Sequence, residues 1–277
     1  MRWLNFIFSH SLFIAACAVA LCFQTDLLLA HPYSWPVYAF VGSSTLCSYN
    51  FYWLISKYKF SKTRHLPSFI KGVPTFVVIF ILAGIGMAWS FFHVWFLWPY
   101  ILSGVFLTLF YSLPLWPFAF AKVTVRAGFL KPILLAATWA FITVMLPGIY
   151  QHNGIGYPLL HVLVSRFLFM LMLCIIFDMR DGRMDKVHGL HSLATDVSPR
   201  WVRFMFACVA IAYGLMALLP TFPGTAWQRT GLEIALLLVC ILYFLSFRKR
   251  GYLFYYFLVD GMMIASPLLA WLMGQVD

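Results

Sequence analysis

Apolar residues in this chain are grouped into long runs, and short polar segments separate one run from the next. Each run has about twenty residues, the length that an α-helix needs to cross the hydrocarbon core of a bilayer. Because lipid offers no partners to backbone amides, such runs form helices. The pattern predicts nine transmembrane helices, at about 4–22, 37–56, 73–91, 95–113, 129–149, 158–178, 201–219, 227–246 and 253–273.

The composition supports a membrane protein and argues against a soluble domain. Hydrophobic residues make up 63% of the chain and charged residues only 10%, whereas about a quarter of a soluble domain is charged. Aromatic residues make up 19%, which is typical of apolar walls and of the tryptophan and tyrosine belts at membrane interfaces. We therefore predict an all-α, polytopic membrane protein, and the net charge of +11 does not indicate nucleic-acid binding.

The positions of the basic residues predict the orientation in the membrane. If the N-terminus is cytoplasmic, 17 of the 19 lysines and arginines lie at Arg2, in the loops after helices two, four, six and eight, or at the adjoining helix starts. The exceptions are Arg166, interpreted as a packing or interfacial cation, and Arg229. This distribution follows the positive-inside rule. It predicts a cytoplasmic N-terminus and an outer C-terminus, in the inner membrane if the source is bacterial.

Three of the eight acidic residues lie close together after the sixth apolar run, at Asp178, Asp181 and Asp185. On a helix, steps of three and four keep these carboxylates within an arc of about 60° and along roughly 10 Å of the axis. Mg²⁺ binds through a few carboxylate oxygens and completes its coordination with water and substrate phosphates. The spacing therefore predicts a magnesium site on the cytoplasmic side.

Two other interpretations of this segment remain open. It can be a solvated polar loop whose acids pair with the neighbouring cations Arg180, Arg183 and Lys186, and surface pairs of this kind contribute little to stability. Alternatively, Asp185, His188 and His191 have a spacing that suits a transition metal. No second histidine cluster occurs elsewhere in the chain to support that metal site.

The acidic segment also resembles a known family motif. Asp178-x-x-Asp181-x-x-x-Asp185, followed by Lys186, Gly189, Ser192 and Leu193, resembles the second aspartate-rich motif of the UbiA superfamily of intramembrane prenyltransferases. Further similarity lies in Tyr111-Ser112-Leu113-Pro114 after the fourth helix, and in Phe129-Leu130-Lys131 with Trp139 in the fifth. The resemblance covers nearly the whole chain. It implies one domain, 1–277, in a nine-helix bundle with a central cavity open to the cytoplasm.

The spacing and the resemblance together predict an internal pseudo-repeat. Its halves would be about 1–128 and 129–252, followed by the ninth helix at 253–277. The family transfers an isoprenoid group from a prenyl diphosphate to an aromatic or other lipid acceptor, and it uses Mg²⁺. The resemblance thus implies a prenyl diphosphate, a hydrophobic acceptor and membrane lipid as partners, with no nucleic acid.

Candidate site residues follow from the resemblance and from the predicted cytoplasmic charges. Mg²⁺ would be held by Asp178, Asp181 and Asp185, and the diphosphate by basic residues, namely Arg64, Lys62, Lys131 and Lys186. Asn50 and Tyr111 are candidate polar contacts near the reacting end. Asp260 is a further catalytic candidate, because an ionisable residue within a membrane span is costly and usually functional. Glu233 also lies in a span, near its outer end.

The chain departs from the family at the first aspartate-rich motif, Asn-Asp-x-x-Asp-x-x-x-Asp. Asn50 is retained, but the three aspartate positions hold Phe51, Leu54 and Tyr58. Since Mg²⁺ requires oxygen ligands, we predict a single metal ion, with basic residues, Arg64 first, supplying the remaining neutralisation. Two alternatives stay open: a terpene cyclase that ionises the diphosphate without an acceptor, and a non-catalytic lipid-binding homologue.

Overall fold

A computed structural model describes residues 11–61, 73–112, 130–151, 154–187 and 192–276. Within these ranges the side chains of residues 53–61, 73–74, 111–112 and 183–187 are not described. The described residues contain helices and loops but no β-strand, so the predicted all-α class is confirmed.

Ten α-helices occur in the described part of the chain. They are α1 Leu12–Leu28, α2 Trp35–Ser61, α3 Val73–Val94, α4 Trp98–Ser112, α5 Leu130–Tyr150, α6 Tyr157–Val187, α7 Leu193–Asp196, α8 Pro199–Leu218, α9 Ala226–Leu245 and α10 Asp260–Met273. A 3-10 turn at Trp95–Leu97 joins α3 to α4, and a π-helical turn at Phe254–Val259 leads into α10.

Several helices are long and apolar enough to cross a membrane. Six such stretches occur among the described residues: Thr75–Phe110, Leu130–Tyr150, Tyr157–Gly182, Pro199–Leu218, Ala226–Ser246 and Phe254–Met273. The first stretch has 36 residues and covers most of both α3 and α4, whereas a single crossing needs about 20 residues. A shorter apolar helix, Leu12–Leu28, accompanies them. These helices identify the chain as a membrane protein.

Helix α6 is the most enclosed of the six stretches. Sixty-seven per cent of its apolar span is buried, compared with 17% for the stretch that contains α3 and α4. Every residue from Phe169 to Ile176 is buried, as expected for a helix that is apolar on all sides. Because α6 packs against α5, α8 and α9, it forms the centre on which the candidate site is built.

Three helices end five or more residues later than the apolar pattern predicts, and one of them is α2, which was expected to end near residue 56 but continues to Ser61. Helix α1 was expected to end near residue 22 but continues to Leu28. Its last turns contain Gln24, Thr25 and Asp26, which are buried and hydrogen-bonded to other parts of the protein. Helix α6 continues nine residues past its expected end at 178, because the acidic segment stays helical. A hydropathy pattern stops at polar residues, but tertiary partners let the helix continue.

Candidate functional site

Asp178 lies at the end of the buried part of α6, where it connects this helix to α7. Its carboxylate is buried, with 8% of the side chain exposed. The backbone N–H of Ala194, in the first turn of α7, donates to Asp178 Oδ2 at 2.9 Å. First-turn N–H groups have no partner within their own helix. The carboxylate therefore connects α7 to the end of the buried part of α6.

Asp181 lies almost one turn further along α6 and pairs with its neighbour Arg180. The Arg180 Nε and Nη2 groups donate to Asp181 Oδ1 and Oδ2, at 2.7 and 3.0 Å. This bidentate geometry is the strong form of an arginine–carboxylate contact. The pair is the kind of contact that the polar-loop interpretation predicts, although the segment is helical rather than a loop.

The Arg180 guanidinium also packs against three aromatic rings. Its Cζ lies 5.0 Å from the ring centroid of Phe177, 5.2 Å from that of Tyr255 and 5.0 Å from that of Tyr256. Cations attract aromatic faces at such distances. Both tyrosines belong to the π-helical turn before α10, and short π-helical segments often occur at functional sites. Arg180 is thus held where the end of α6 meets the start of α10.

Two further predicted residues lie near Asp178. Asp260 is the half-buried first residue of α10, and Lys131 is an exposed residue in the first turn of α5. Asp260, Asp178 and Lys131 all act electrostatically on the thiol of Cys174, which lies one turn before Asp178. Asp260 also interacts electrostatically with Arg180. The starts of α5 and α10 therefore bring their charged residues to the acidic end of α6.

Helix α2 carries the residues that stand at the position of the family's first aspartate-rich motif. Asn50 is buried, and its Nδ2 group donates to the Leu46 carbonyl of the same helix at 2.8 Å. Phe51, at the family's first aspartate position, is 47% exposed and stacks on Phe80 of α3 with centroids 6.3 Å apart. The described side chains of this helix end therefore provide an amide and an aromatic surface.

For the remaining predicted site residues, the structure does not describe either the residue or its side chain. Lys62 and Arg64 lie outside the described residues, as do His188 and His191, while the side chains of Tyr111, Asp185 and Lys186 are not described. In the described part of the chain, no three His, Cys, Asp or Glu side chains are grouped as metal ligands. Since one of the three predicted magnesium ligands is not described, the metal site stays a prediction.

The two described carboxylates suit Mg²⁺ by donor type, since both offer hard oxygen ligands. Asp178 is already oriented by the Ala194 N–H group. Both oxygens of Asp181 are engaged by Arg180, so metal binding at Asp181 requires that this ion pair open. Opening it would free the Arg180 guanidinium for another anion. In the present conformation, a potential metal ligand, Asp181, and a potential phosphate ligand, Arg180, are therefore bound to each other.

A buried polar network in the middle of the bundle was missed by the sequence analysis. Arg166 is only 4% exposed, and it donates to the Leu21 carbonyl, to Gln24 Oε1 and to Thr143 Oγ1 at 2.8, 2.9 and 3.2 Å. The interfacial role expected for Arg166 is therefore wrong, whereas a packing role agrees with these contacts. The sequence does contain a signal for this network, because a cation within an apolar run is usually paired or functional.

No protein-family model, curated protein or solved structure matches this chain. Its function is therefore argued from its own residues and from the geometry at the end of α6.

Proposed function

We propose that this chain is an integral membrane prenyltransferase of the UbiA type. It transfers an isoprenoid group from a prenyl diphosphate to an aromatic or lipid acceptor and depends on Mg²⁺. The observation that carries this function is the set of charged residues at the end of α6, where Arg180 pairs with Asp181, and where Asp178, Asp260 and Lys131 all act electrostatically on Cys174, beside an apolar helical bundle. A membrane enzyme that acts on a diphosphate with an apolar tail needs this combination of charge and apolar surroundings.

The chain's charged residues would bind and orient the diphosphate. Asp178, Asp181 and Asp185 would hold Mg²⁺, which neutralises the charge that grows on the leaving group. Four lysines and arginines are candidate phosphate ligands from the sequence, namely Lys131, Lys186, Lys62 and Arg64. If Asp181 bound the metal instead of Arg180, the Arg180 guanidinium would be free to donate two parallel hydrogen bonds to phosphate oxygens.

The reaction then proceeds at the first carbon of the isoprenoid. Its C–O bond breaks, the electron pair leaves with the diphosphate, and an allylic cation forms. Aromatic faces stabilise this cation without reacting with it, and the apolar bundle excludes water that would quench it. The acceptor forms the new C–C or C–O bond and loses a proton, for which Asp260 is the candidate base. Asn50 and Tyr111 are candidates for polar contacts near the reacting end.

The proposed architecture is a nine-helix bundle with a cytoplasmic N-terminus and a central cavity open to that side. Division of the 36-residue apolar stretch by the 3-10 turn at Trp95–Leu97 supports two crossings in that region. If α1 and α2 also cross, as we propose, the number of crossings would be nine. The positive-inside distribution of basic residues supports the orientation.

A turnover assay on the purified protein tests this function. The protein is mixed with Mg²⁺ and geranylgeranyl or farnesyl diphosphate, with and without a panel of aromatic and lipid acceptors, and diphosphate release is measured. Release that depends on an acceptor supports the transferase. Release without an acceptor indicates a cyclase, and binding without release indicates a non-catalytic lipid-binding protein.

A further inference from the structure

The buried guanidinium of Arg166 lies among neutral groups. Arg166 is the tenth residue of α6, about 14 Å from the helix start and near the middle of a bilayer core. Its three hydrogen bonds go to a backbone carbonyl, an amide oxygen and a hydroxyl. In the described part of the chain these bonds use three of its five N–H groups. None of the acceptors carries a charge that balances the guanidinium.

A small cavity adjoins this arginine. Its volume, measured for the centre of a water-sized sphere, is about 10 Å³, which is enough for one small occupant. Five polar side chains line it, from Gln24, Ser165, Arg166, Tyr213 and Ser266. The Tyr213 hydroxyl is hydrogen-bonded to both serines. The cavity is therefore lined by a guanidinium and by hydroxyl groups, and no carboxylate occurs among its described lining residues.

The two nearby carboxylates have other surroundings. Asp26 Oδ2 accepts hydrogen bonds from the Tyr38 hydroxyl at 2.6 Å and from the Ser34 N–H at 2.9 Å. Glu233 is not among the residues that line the cavity, although it acts electrostatically on Tyr213. Neither carboxylate forms an ion pair with Arg166 among the described residues. Among the described residues, the positive charge thus has no carboxylate in direct contact with it.

We propose that this cavity binds a single monatomic anion, chloride under cellular conditions. A buried charge in a membrane protein is usually paired, and a neutral water molecule cannot pair it. The two guanidinium N–H groups without an acceptor among the described residues and the one hydroxyl hydrogen not used between Tyr213 and the serines can donate to a spherical anion, whereas carboxylates and phosphates are too large for the cavity. A bound chloride would complete a polar junction between α1, α5, α6, α8 and α10.

Anion-dependent thermal stability of the purified full-length protein tests the site. Melting is followed in sodium chloride, in sodium bromide and in sodium gluconate at one ionic strength, because gluconate cannot enter the cavity. The melting temperature should be higher by at least about 2 °C in both halides, with saturation as the halide concentration rises. Equal melting temperatures in all three salts would overturn the proposal.

Two variants locate the effect. Arg166→Gln removes the charge, and the halide effect should disappear. Arg229→Gln is the matched control, because Arg229 donates to the Leu219 carbonyl in an exposed hydrogen bond and does not line the cavity, and it should keep the full effect. A halide effect that persists in Arg166→Gln would contradict the site.

Anomalous diffraction from wild-type crystals grown in bromide does not depend on whether the Arg166 variant folds. A bromide peak in the cavity, within hydrogen-bond distance of the Arg166 guanidinium, is expected. Density for water only would refute the proposal.

Discussion

At the scale of single residues, Asp178 and Asp181 have different partners although they share one face of α6. Asp178 is oriented by a neutral backbone N–H group, whereas Asp181 is neutralised by Arg180. A neutral donor positions a carboxylate without removing its charge. Asp178 therefore offers a carboxylate that a backbone donor holds in place, whereas Asp181 would become a metal ligand by exchanging Arg180 for the metal.

Asp178→Asn separates the charge of this residue from its shape. The asparagine Oδ1 atom can still accept from the Ala194 N–H group, so we expect a melting temperature close to that of the wild type. Mg²⁺-dependent binding of a prenyl diphosphate should nevertheless be lost, because a neutral amide is a weak ligand for Mg²⁺. Thermal melting and equilibrium binding in detergent measure both effects.

Asp178→Ala and Asp196→Asn are the two comparison variants for Asp178→Asn. Alanine leaves the half-buried Ala194 N–H group without its acceptor, which costs up to about 1–3 kcal/mol and should lower the melting temperature. Asp196 is exposed and lies beyond the motif, so its asparagine variant should bind normally. If Asp178→Asn binds the diphosphate as well as Asp196→Asn does, Asp178 is not a metal ligand.

Arg180→Lys tests whether the guanidinium fork, rather than charge alone, binds the diphosphate. Lysine keeps the charge, but it cannot form two parallel hydrogen bonds or stack flat on aromatic rings. We expect diphosphate affinity to fall at least tenfold, or ~1.4 kcal/mol. Arg203→Lys is the control, because Arg203 donates to Pro199 of its own helix. Equal affinities in the two variants would count against a role for Arg180.

Part of this residue-level picture could be predicted from the sequence. The acidic residues were recognisable by their spacing, and Lys131 and Asp260 by their positions beside or within apolar runs. The aromatic surface around Arg180 was not predictable, because Tyr255 and Tyr256 come from a helix more than seventy positions away. The Arg166 network joins residues separated by more than a hundred positions, and no local pattern encodes such pairings.

At the scale of elements, α7 lies so close to α6 that only glycine fits at position 182. A Cβ atom added to Gly182 would lie 2.5 Å from the Cβ atom of Ala194, so Gly182→Ala should push the two helices apart. Overpacking of this kind costs about 1–3 kcal/mol. The hydrogen bond from Ala194 to Asp178 would lengthen as well. We expect a lower melting temperature and weaker Mg²⁺-dependent diphosphate binding.

A second substitution and a second glycine serve as controls. Ala194→Gly removes the clashing atom, so the double variant Gly182→Ala/Ala194→Gly should recover most of the lost diphosphate binding. Gly84 lies on α3 with open space around it, and Gly84→Ala should leave binding unchanged. Failure of the double variant to recover would show that the contact between α6 and α7 does not support the site.

Helix positions were predictable to the extent that they depend on hydropathy alone. The middle helices begin and end within a few residues of the apolar runs. The exceptions are the end of α2 and, where buried polar or acidic residues remain helical, the ends of α1 and α6. Their buried hydrogen bonds, such as Gln24 to Ser266 at 2.8 Å, depend on distant helices and have no signature in a local hydropathy window.

At the scale of the whole molecule, the positive-inside rule predicts that the acidic end of α6 faces the cytoplasm. Cysteine introduced at Ser198, an exposed position just before α8, should react with a membrane-impermeant thiol reagent only after the cytoplasmic side is opened. Thr221, exposed between α8 and α9, should react from outside in intact cells when it is replaced by cysteine. The reverse pattern would show that the predicted orientation is wrong.

The central claim is a diphosphate site with one metal ion at the end of α6, and electron paramagnetic resonance of Mn²⁺ tests it most directly. Mn²⁺ is titrated into the purified protein with geranylgeranyl diphosphate present, and bound ions are counted. One ion per chain is expected for the wild type, because the first aspartate motif has no carboxylates, and none for Asp178→Asn. Two magnetically coupled ions, no bound ion in the wild type, or one ion in both proteins would contradict the claim.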